Sequence, residues 1–533
     1  MAHEGFYPGV CRETRRMKWI FPVFTVLEGG IIFLISIGWL EREAAFFVTA
    51  ALALWLSLRP IEEGLPIFVI SIPFFAALPI SDSFDQMASW RVLLAILFAR
   101  YLVEEWVSRS GRFGMVPYVF SMIRRVIASR LGLAAVIFLG WALISALAAP
   151  YPAAGIKKVI FLGQLFTLYP ITVWCWQHSK KRGAIETAIA WSVGMAVIVG
   201  FGQVLSLFVV TMDAFWRFWA GRVIPALYGY NLGELLQTSN TWFSYSGDGA
   251  PTLRIFSLFP DSHSFAMFLM LGLSIPAARW ISQSSVKESK RLDRWFFFAA
   301  AILLALVLSG SRGVWASALV LAGLLTVLLI WLRHIRDTAG QAMRLAGTAT
   351  AHLLIIFGVF AALFVPAAIL SAATQRAQGS HVDTFASFKR AKSITDLEEI
   401  SNRSRLQIWK EALGAVRRKP LLGIGTGNFA VTLGEDISAS RRGASAHNLY
   451  LDIASEMGIP GIAGFAVLIS IVIWRLLRSL VNEPADGSYA ARTAVLLVFI
   501  IWVLGYSFFD VVLFNDKVLM LGTVLAGLGV SRI

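Results

Sequence analysis

Charge and cysteine are both scarce in this sequence. Of its 533 residues, 15% are charged and 57% are hydrophobic, whereas a soluble domain carries about 25% charged residues. This imbalance excludes an ordinary soluble domain. The two cysteines, Cys11 and Cys175, both fall at predicted cytoplasmic ends of helices, which argues against a disulfide framework. Apolar and polar residues do not alternate at period two, which argues against an outer-membrane barrel.

Metal-ligand patterns and nucleotide motifs are also missing. No His, Cys, Asp and Glu residues are grouped with metal-ligand spacing, so we predict no metal site and no cofactor. Gly423, Gly425 and Gly427 have the spacing GxGxG without a preceding strand, which fits a bend that shapes a cleft better than a nucleotide loop. The net charge of +15 is better explained by short basic loops in the cytoplasm than by nucleic acid. We therefore expect no nucleic-acid partner.

Long apolar runs dominate the rest of the sequence. Many of them reach or approach the roughly 20 residues that cross a bilayer as a helix. We therefore predict an all-α polytopic membrane protein with about 12–14 transmembrane helices and two long external loops. The candidate runs lie near residues 20–40, 44–58, 61–80, 89–106, 131–150, 157–176, 185–210, 264–283, 295–311, 313–333, 349–371, 459–475, 494–510 and 518–531.

The basic residues predict the orientation of these helices. With the N-terminus in the cytoplasm, every second connection is rich in Arg and Lys, as positive-inside sorting requires. Lys157 and Lys158 break this asymmetry, and they either meet lipid phosphates or lie at the surface. The predicted organisation is N-terminal transmembrane helices at 1–210, a first external loop at 211–263, central helices at 264–371, a second and catalytic external loop at 372–458, and C-terminal helices at 459–533.

The first external loop is rich in aromatic residues between Phe215 and Tyr245. One interpretation is an amphipathic helix that lies in the membrane interface, with its rings at headgroup depth. The other is a platform for sugar rings or for a lipid tail. Arg254 follows this aromatic stretch and is expected near the membrane surface.

Four residues on the outer side have side chains suited to chemistry, namely Arg254, Arg312, Arg405 and His447. Arginine forks match phosphate oxygens and keep their charge at physiological pH. Each arginine alone also fits snorkelling or a structural ion pair. Arg312 is the exception, because it lies in the polar corner 309–313 between two apolar runs, where a charge predicts function.

His447 is the candidate general base. An imidazole can accept a proton near neutral pH, and His447 is followed by Asn448 in a polar stretch of the second loop. A lone histidine is more often a hydrogen-bonding residue than a catalyst, so this context matters. His263 and His381 are also external and rank below His447.

Five motifs carry a resemblance to a known family: Leu-Ser-Gly-Ser-Arg-Gly at 308–313, Arg-(x)3-Trp at 405–409, Pro-Leu-Leu-Gly-Ile-Gly at 420–425, Ala-His-Asn-Leu-Tyr-Leu at 446–451 and Glu-x-Gly-Ile-Pro-Gly at 456–461. They resemble the bacterial O-antigen ligase and O-antigen polymerase superfamily. The resemblance is specific over about residues 250–465, and the N-terminal half agrees only in being helical and membranous.

The resemblance implies a metal-independent, inverting glycosyltransferase of the bacterial inner membrane that acts at the periplasmic face. Its donor would be a glycan on undecaprenyl diphosphate and its acceptor a hydroxyl of lipid A–core, with membrane lipids around it. In the family, arginines bind the diphosphate and a histidine activates the acceptor. These roles map onto Arg312, Arg405 and His447. Further candidates for substrate binding are Arg254, Asn448, Lys157 and Lys158.

Several alternatives remain at this point. About fourteen spans exceed the dozen usual in the family, so a ligase and a polymerase are both open. A polymerase would use a second lipid-linked glycan as acceptor, and a protein acceptor is a third option. A transporter or flippase without chemistry would place polar groups near the bilayer midplane and often shows repeats. Here the candidate residues lie at one surface and no repeat is found, which favours an enzyme.

Overall fold

The computed structural model describes residues 8–81, 85, 87–110, 115–179, 183–238, 242–244, 251–287, 292–334, 341–379, 400–434, 445–482 and 487–530. Helices account for most of these residues, and each of the four strands has only two residues. The predicted all-α fold is therefore confirmed. His381 lies outside the described residues.

The N-terminal part of the chain is a succession of apolar helices joined by short turns. The Ser129 side chain starts one of them by accepting a hydrogen bond from Gly132 N, as a helix N-cap does. These helices are α1 Pro8–Ser36, α2 Ala44–Leu58, α3 Ile61–Ser71, α4 Ser89–Ser110, α5 Met115–Ala128, α6 Arg130–Leu147, α7 Pro152–Phe166, α8 Leu168–His178 and α9 Gly183–Ser206. The 3-10 turn Ile72–Phe74 extends α3, and strands β1 Ala77–Leu78 and β2 Met87–Ala88 pair antiparallel before α4.

The first long loop folds into short elements of its own. They are α10 Met212–Phe218, the π-helical turn Trp219–Val223, α11 Ile224–Tyr228, α12 Tyr230–Thr238, and the antiparallel strands β3 Phe243–Ser244 and β4 Thr252–Leu253. The Thr211 side chain caps α10 by accepting from Ala214 N, so a polar residue starts this substructure where α9 ends.

The C-terminal part contains the remaining long helices. They are α13 Ser262–Lys287, α14 Arg294–Leu308, α15 Arg312–His334, α16 Gln341–Ala362, α17 Phe364–Ala377, α18 Ile400–Arg418, the short α19 Phe429–Thr432, α20 Leu449–Asn482, α21 Gly487–Tyr506 and α22 Asp516–Val530. The 3-10 turn Val512–Phe514 connects the last two.

Helix α13 lies at the centre of the bundle. Its most apolar stretch is 89% buried, and it packs against α9, α14, α21 and α22. A helix that is apolar on all sides needs such surroundings. Helix α13 begins at Ser262, and its second residue, His263, contacts Ser311. The central helix of the bundle therefore starts beside the polar corner between α14 and α15.

Seven segments of the described chain are long and apolar enough to cross a membrane. They are Arg130–Leu147, Pro152–His178, Gly183–Ser206, Ser262–Gln283, Arg312–Leu332, Gly347–Ala377 and Leu449–Leu480. Four shorter apolar helices, Ile20–Ser36, Ala44–Leu58, Arg294–Leu308 and Ala491–Tyr506, add to them. The fold is thus that of a polytopic membrane protein, and the number of 12–14 spans stays a prediction.

Helix α20 begins about ten residues before the predicted span at 459–475. Residues 449–457, which were expected in the second external loop, are its first turns. A kink then forms at Gly458, which has φ +68° and ψ −171°. After it, Ile459 N donates to Pro420 O at 2.8 Å instead of to the preceding turn. The Gly-Ile-Pro-Gly motif is therefore a kink inside a helix.

Candidate active site

Aromatic packing in the first loop positions Arg254. The Trp242 and Phe256 rings stack with their centroids 4.1 Å apart and are fully buried together with Phe215 and Ala220. The Trp242 carbonyl accepts a hydrogen bond from Arg254 N at 2.7 Å. The rings are buried against one another and do not lie flat in the membrane interface. This part of the loop therefore differs from both interpretations of the sequence. It is a small core rather than an interfacial helix or an open platform.

The corner between α14 and α15 receives the Arg254 side chain. Arg254 Nε donates to Ser309 O at 3.2 Å. Gly310 has φ +62°, and a Cβ at this position would lie 3.1 Å from Arg254 Cγ. Both the left-handed backbone and the close approach therefore require glycine. The corner brings Arg254 next to Arg312, the first residue of α15.

The three predicted arginines meet in one cleft. It has a volume of about 330 Å³ and is lined by Arg254, Arg312, Arg405, His263, Gly313, Tyr506 and Phe509. The arginines come from three separate segments: the loop before α13, the start of α15, and α18. Three positively charged guanidinium groups around a small cleft create an electric field that favours an anionic ligand with several oxygens.

Arg254 and His263 are linked within the cleft. Arg254 is 7% exposed, and burial lowers its pKa to about 10 while Tyr506 and Asp261 oppose the change, so it stays charged at neutral pH. Its guanidinium lies 3.1 Å from His263 Nε2. Since a guanidinium only donates, Nε2 accepts and the ring proton is on Nδ1. Nδ1 lies 2.8 Å from Tyr506 Oη and 3.4 Å from Asp510 Oδ2, both of which can accept it.

His447 is not among the residues that line the cleft, and it lies in a strained turn before α20. Its backbone has φ +46°, a left-handed conformation that costs energy for a residue other than glycine. Trp409 Nε1 donates to Ala446 O at 2.9 Å, and Leu449 N donates to Ser507 O at 2.8 Å. The turn is thus held between α18, which carries Arg405, and the end of α21. Within the described chain, His447 Nδ1 is buried and has no hydrogen-bond partner.

Asn448 and Asp452 fix this turn from the helix side. Asn448 Oδ1 accepts from the backbone N–H groups of Tyr450 and Leu451, both at 3.1 Å, as an N-cap residue does. Asp452 Oδ1 accepts from Ala446 N at 3.1 Å. Asn448, predicted to bind substrate, therefore uses its side-chain oxygen to cap α20 and is buried.

The structure separates Lys157 and Lys158 from the cleft. Lys158 Nζ lies 2.6 Å from Glu456 Oε2 and 3.7 Å from Asp452 Oδ2, so two carboxylates of α20 balance its charge. Lys157, the residue before Lys158 on α7, is exposed. Neither lysine lines the arginine cleft. Lys158 instead ties α7 to the helix that follows His447.

The glycine-rich bend supports the same helix. Gly425 N donates to Glu456 O at 2.9 Å, and Gly423 has φ +66° with a would-be Cβ only 2.4 Å from the Glu456 backbone. The bend therefore packs directly against the α20 backbone. None of its three glycines lines the cleft, so its contribution to the cleft is indirect, through the position of α20.

Comparison with known families bears on this arrangement. Residues 297–466 match the family model described as O-Antigen ligase. Over this segment the chain is similar to that family. This confirms the resemblance to the O-antigen ligase and polymerase superfamily that the motifs indicated. No curated protein matches the chain.

The matched segment supplies only part of the cleft. Arg312, Arg405 and His447 lie inside residues 297–466. Arg254 and His263 precede the matched segment, and Tyr506 follows it. The cleft is therefore completed by the loop before α13 and by the end of α21, which pack onto the matched segment.

Sequence reasoning ranked His263 low and missed its partners Ser311, Tyr506 and Asp510. Ser311 Oγ lies 2.9 Å from Tyr506 Oη, although 195 residues separate them. The one sequence signal for these partners was Asp510, an acidic residue at the very end of the apolar run 494–510. Among the residues that the structure describes, no three His, Cys, Asp or Glu side chains are placed to hold a metal ion.

Proposed function

We propose that this chain transfers a glycan from undecaprenyl diphosphate to an acceptor hydroxyl at the periplasmic face of the bacterial inner membrane. The observation that carries the proposal is the convergence of Arg254, Arg312 and Arg405 in one cleft. A diphosphate has the charge and the oxygen geometry that several guanidinium forks bind. The match of residues 297–466 to the O-antigen ligase family supports the same reaction class.

In this reaction the three arginines act on the leaving group. The bond between the anomeric carbon and the diphosphate oxygen breaks, and negative charge develops on that oxygen. Guanidinium groups already fixed around the diphosphate stabilise this charge better than water does, because they need no reorganisation. His263 and Ser309 hold Arg254 in place from two sides, so its fork is oriented before the substrate binds.

His447 acts on the acceptor. The acceptor hydroxyl oxygen forms the new bond to the anomeric carbon on the face opposite the leaving group, so the configuration inverts. The hydroxyl proton passes to the imidazole. The buried, unpartnered Nδ1 of His447 and its strained backbone support a functional role rather than a purely structural one, since strain of this kind persists mainly at functional sites.

The acceptor distinguishes the two forms of the proposal. We favour lipid A–core, which makes the protein an O-antigen ligase, over a second lipid-linked glycan, which would make it a polymerase. Deletion of the gene tests this choice directly through the lipopolysaccharide profile. Loss of all O-antigen from the core is the expected result, whereas core carrying a single repeat unit would identify a polymerase.

An assay with purified protein tests the enzyme itself. Detergent-solubilised protein incubated with an undecaprenyl-diphosphate glycan and lipid A–core should release undecaprenyl diphosphate and elongate the core. Without acceptor, release should be much slower. A transporter or flippase would leave both lipids chemically unchanged, so absence of product from well-folded protein would contradict the proposal.

A further inference from the structure

A second cavity lies at the opposite end of α21 from the arginine cleft. Tyr506, which lines the cleft, ends this helix, and Arg492 lies near its start. At 1.5 Å per residue, the two positions are about 21 Å apart along the helix axis. The cavity encloses about 560 Å³ of open space, part of which is continuous with the surroundings of the protein.

Two arginines and one carboxylate form its polar wall. Glu186 Oε1 accepts from Arg492 at 3.0 Å, and Glu186 Oε2 accepts from Arg279. Two guanidinium groups therefore share one carboxylate, and the wall keeps a net positive charge. The Nε atoms of Arg279 and Arg492 are both buried, and neither has a hydrogen-bond partner within the described chain. The charge and the donors of the wall are thus incompletely satisfied.

The rest of the lining is mostly apolar. It includes side chains from four helices of the bundle, namely Trp176, Ile275, Leu496, Leu525 and Leu528. A soluble anion would meet the arginines but would make no use of this surface. A molecule with an anionic head and hydrocarbon chains fits both parts of the cavity.

A purely structural ion triad explains these observations less well. Glu186, Arg279 and Arg492 do join α9, α13 and α21. However, an ion-pair cluster that joins three helices needs neither an adjoining cavity nor a surplus positive charge. Both arginines line the cavity and Glu186 neutralises only one of their two charges, which points to an anionic ligand such as a phosphate group.

We propose that this cavity is a binding site for an anionic glycerophospholipid, with its phosphate against Arg279 and Arg492 and an acyl chain along Leu496 and Leu525. Basic pockets between membrane helices suit acidic lipid head groups, and arginine forks suit phosphate. The site lies on the other membrane face from the arginine cleft and is independent of the glycosyl-transfer proposal.

Native mass spectrometry of the full chain in detergent tests the site. The protein is incubated with phosphatidylglycerol or with phosphatidylcholine of the same chains. We expect wild-type protein to retain at least fivefold more phosphatidylglycerol than phosphatidylcholine. The double substitution Arg279→Gln and Arg492→Gln should remove this preference. Arg475→Gln, which removes an arginine bonded to Tyr169 outside the cavity, should leave it unchanged.

A second variant guards against misfolding of the double mutant. Glu186→Gln removes the neutralising carboxylate but keeps both arginines, so it should retain more phosphatidylglycerol than wild type does. Unchanged or weaker retention by folded Glu186→Gln protein would overturn the proposal, as would equal retention of the two lipids by wild type. Displacement of the lipid by millimolar inorganic phosphate would also overturn it, because it would identify a site for soluble anions.

Discussion

Arg405 reaches the cleft from α18, a helix that also carries the exposed Arg417 near its end. Arg405→Lys keeps the positive charge but replaces a planar fork by a point charge. Charge-assisted hydrogen bonds contribute about 1.5–3 kcal/mol each, so we expect donor turnover to fall about 10–100-fold. Arg312→Lys should behave in the same way. The measurement is kcat/KM for the lipid-diphosphate donor.

Arg417→Lys is the matched control for this prediction. It makes the same change on the same helix outside the cleft, and it should leave kcat/KM within about twofold of wild type, since an exposed charge contributes little. Near wild-type turnover in both Arg405→Lys and Arg312→Lys would show that these arginines serve lipid head groups instead of the diphosphate.

His447 is the residue for which a catalytic role can be separated from a structural one. His447→Ala should fold and bind donor but lose about 10²–10⁴-fold in turnover, the usual share of a positioned acid or base. Turnover and donor affinity are measured separately.

His447→Gln tests the structural alternative. Glutamine keeps a neutral hydrogen-bonding group but cannot take up the proton, so this variant should be as slow as His447→Ala. His352→Gln, on α16 outside the cleft, should have no effect. A folded His447→Gln variant with nearly full activity and an unchanged pH profile would assign His447 a structural role.

At the scale of elements, the turn between α14 and α15 sets the position of Arg254. Gly310→Ala forces a side chain into a left-handed backbone and into contact with Arg254 Cγ. We expect a loss of stability of about 1–3 kcal/mol and a several-fold rise in KM for the donor, because Arg254 is displaced. Thermal unfolding and donor kinetics measure the two effects.

Gly323→Ala provides the control for that substitution. Gly323 lies within α15, and a Cβ there would have no atom within 4 Å. Alanine in a helix is more favourable than glycine by about 0.5–1 kcal/mol, so this variant should be as stable as wild type or slightly more so. Equal kinetics for Gly310→Ala and wild type would show that the corner does not position Arg254.

Helix positions were largely predictable from apolar runs, but helix breaks were not. The runs at 157–176 and 349–371 were each predicted as one span, and each lies within one apolar segment, Pro152–His178 and Gly347–Ala377, whose helix is interrupted for a single residue at Thr167 and at Leu363. Pro170 and Pro366 lie three residues after these breaks, in the first turn of the next helix, where proline is tolerated. Hydropathy averaged over a window of residues changes little for a single proline, so it does not show this signal.

At the scale of the whole molecule, local sequence patterns identified single residues of the cleft but not which residues touch. Arg254, Arg312 and Arg405 were each proposed from local patterns, and they do share a cleft. The pairing of Lys158 with Glu456, 298 residues away, could not be predicted, because no local rule relates helices so far apart. The same holds for the contact of His263 with Tyr506.

Transmembrane orientation is the last property that can be tested for the molecule as a whole. Helix α13 starts one residue before His263, which lines the cleft, and it ends at Lys287. Its 26 residues are about 39 Å long, enough to cross the bilayer. We therefore predict that the segment after α13 lies on the opposite side of the membrane from the cleft, and its basic residues predict that this side is the cytoplasm.

Cysteine labelling in intact spheroplasts measures this orientation. In a background with Cys11 and Cys175 replaced by serine, Ser440→Cys, in the loop before His447, should react with a membrane-impermeant thiol reagent. Ser289→Cys, after α13, should react only once the membrane is permeabilised. Both positions lie outside the described residues. The reverse pattern would place the arginine cleft in the cytoplasm, where a periplasmic glycan donor cannot reach it.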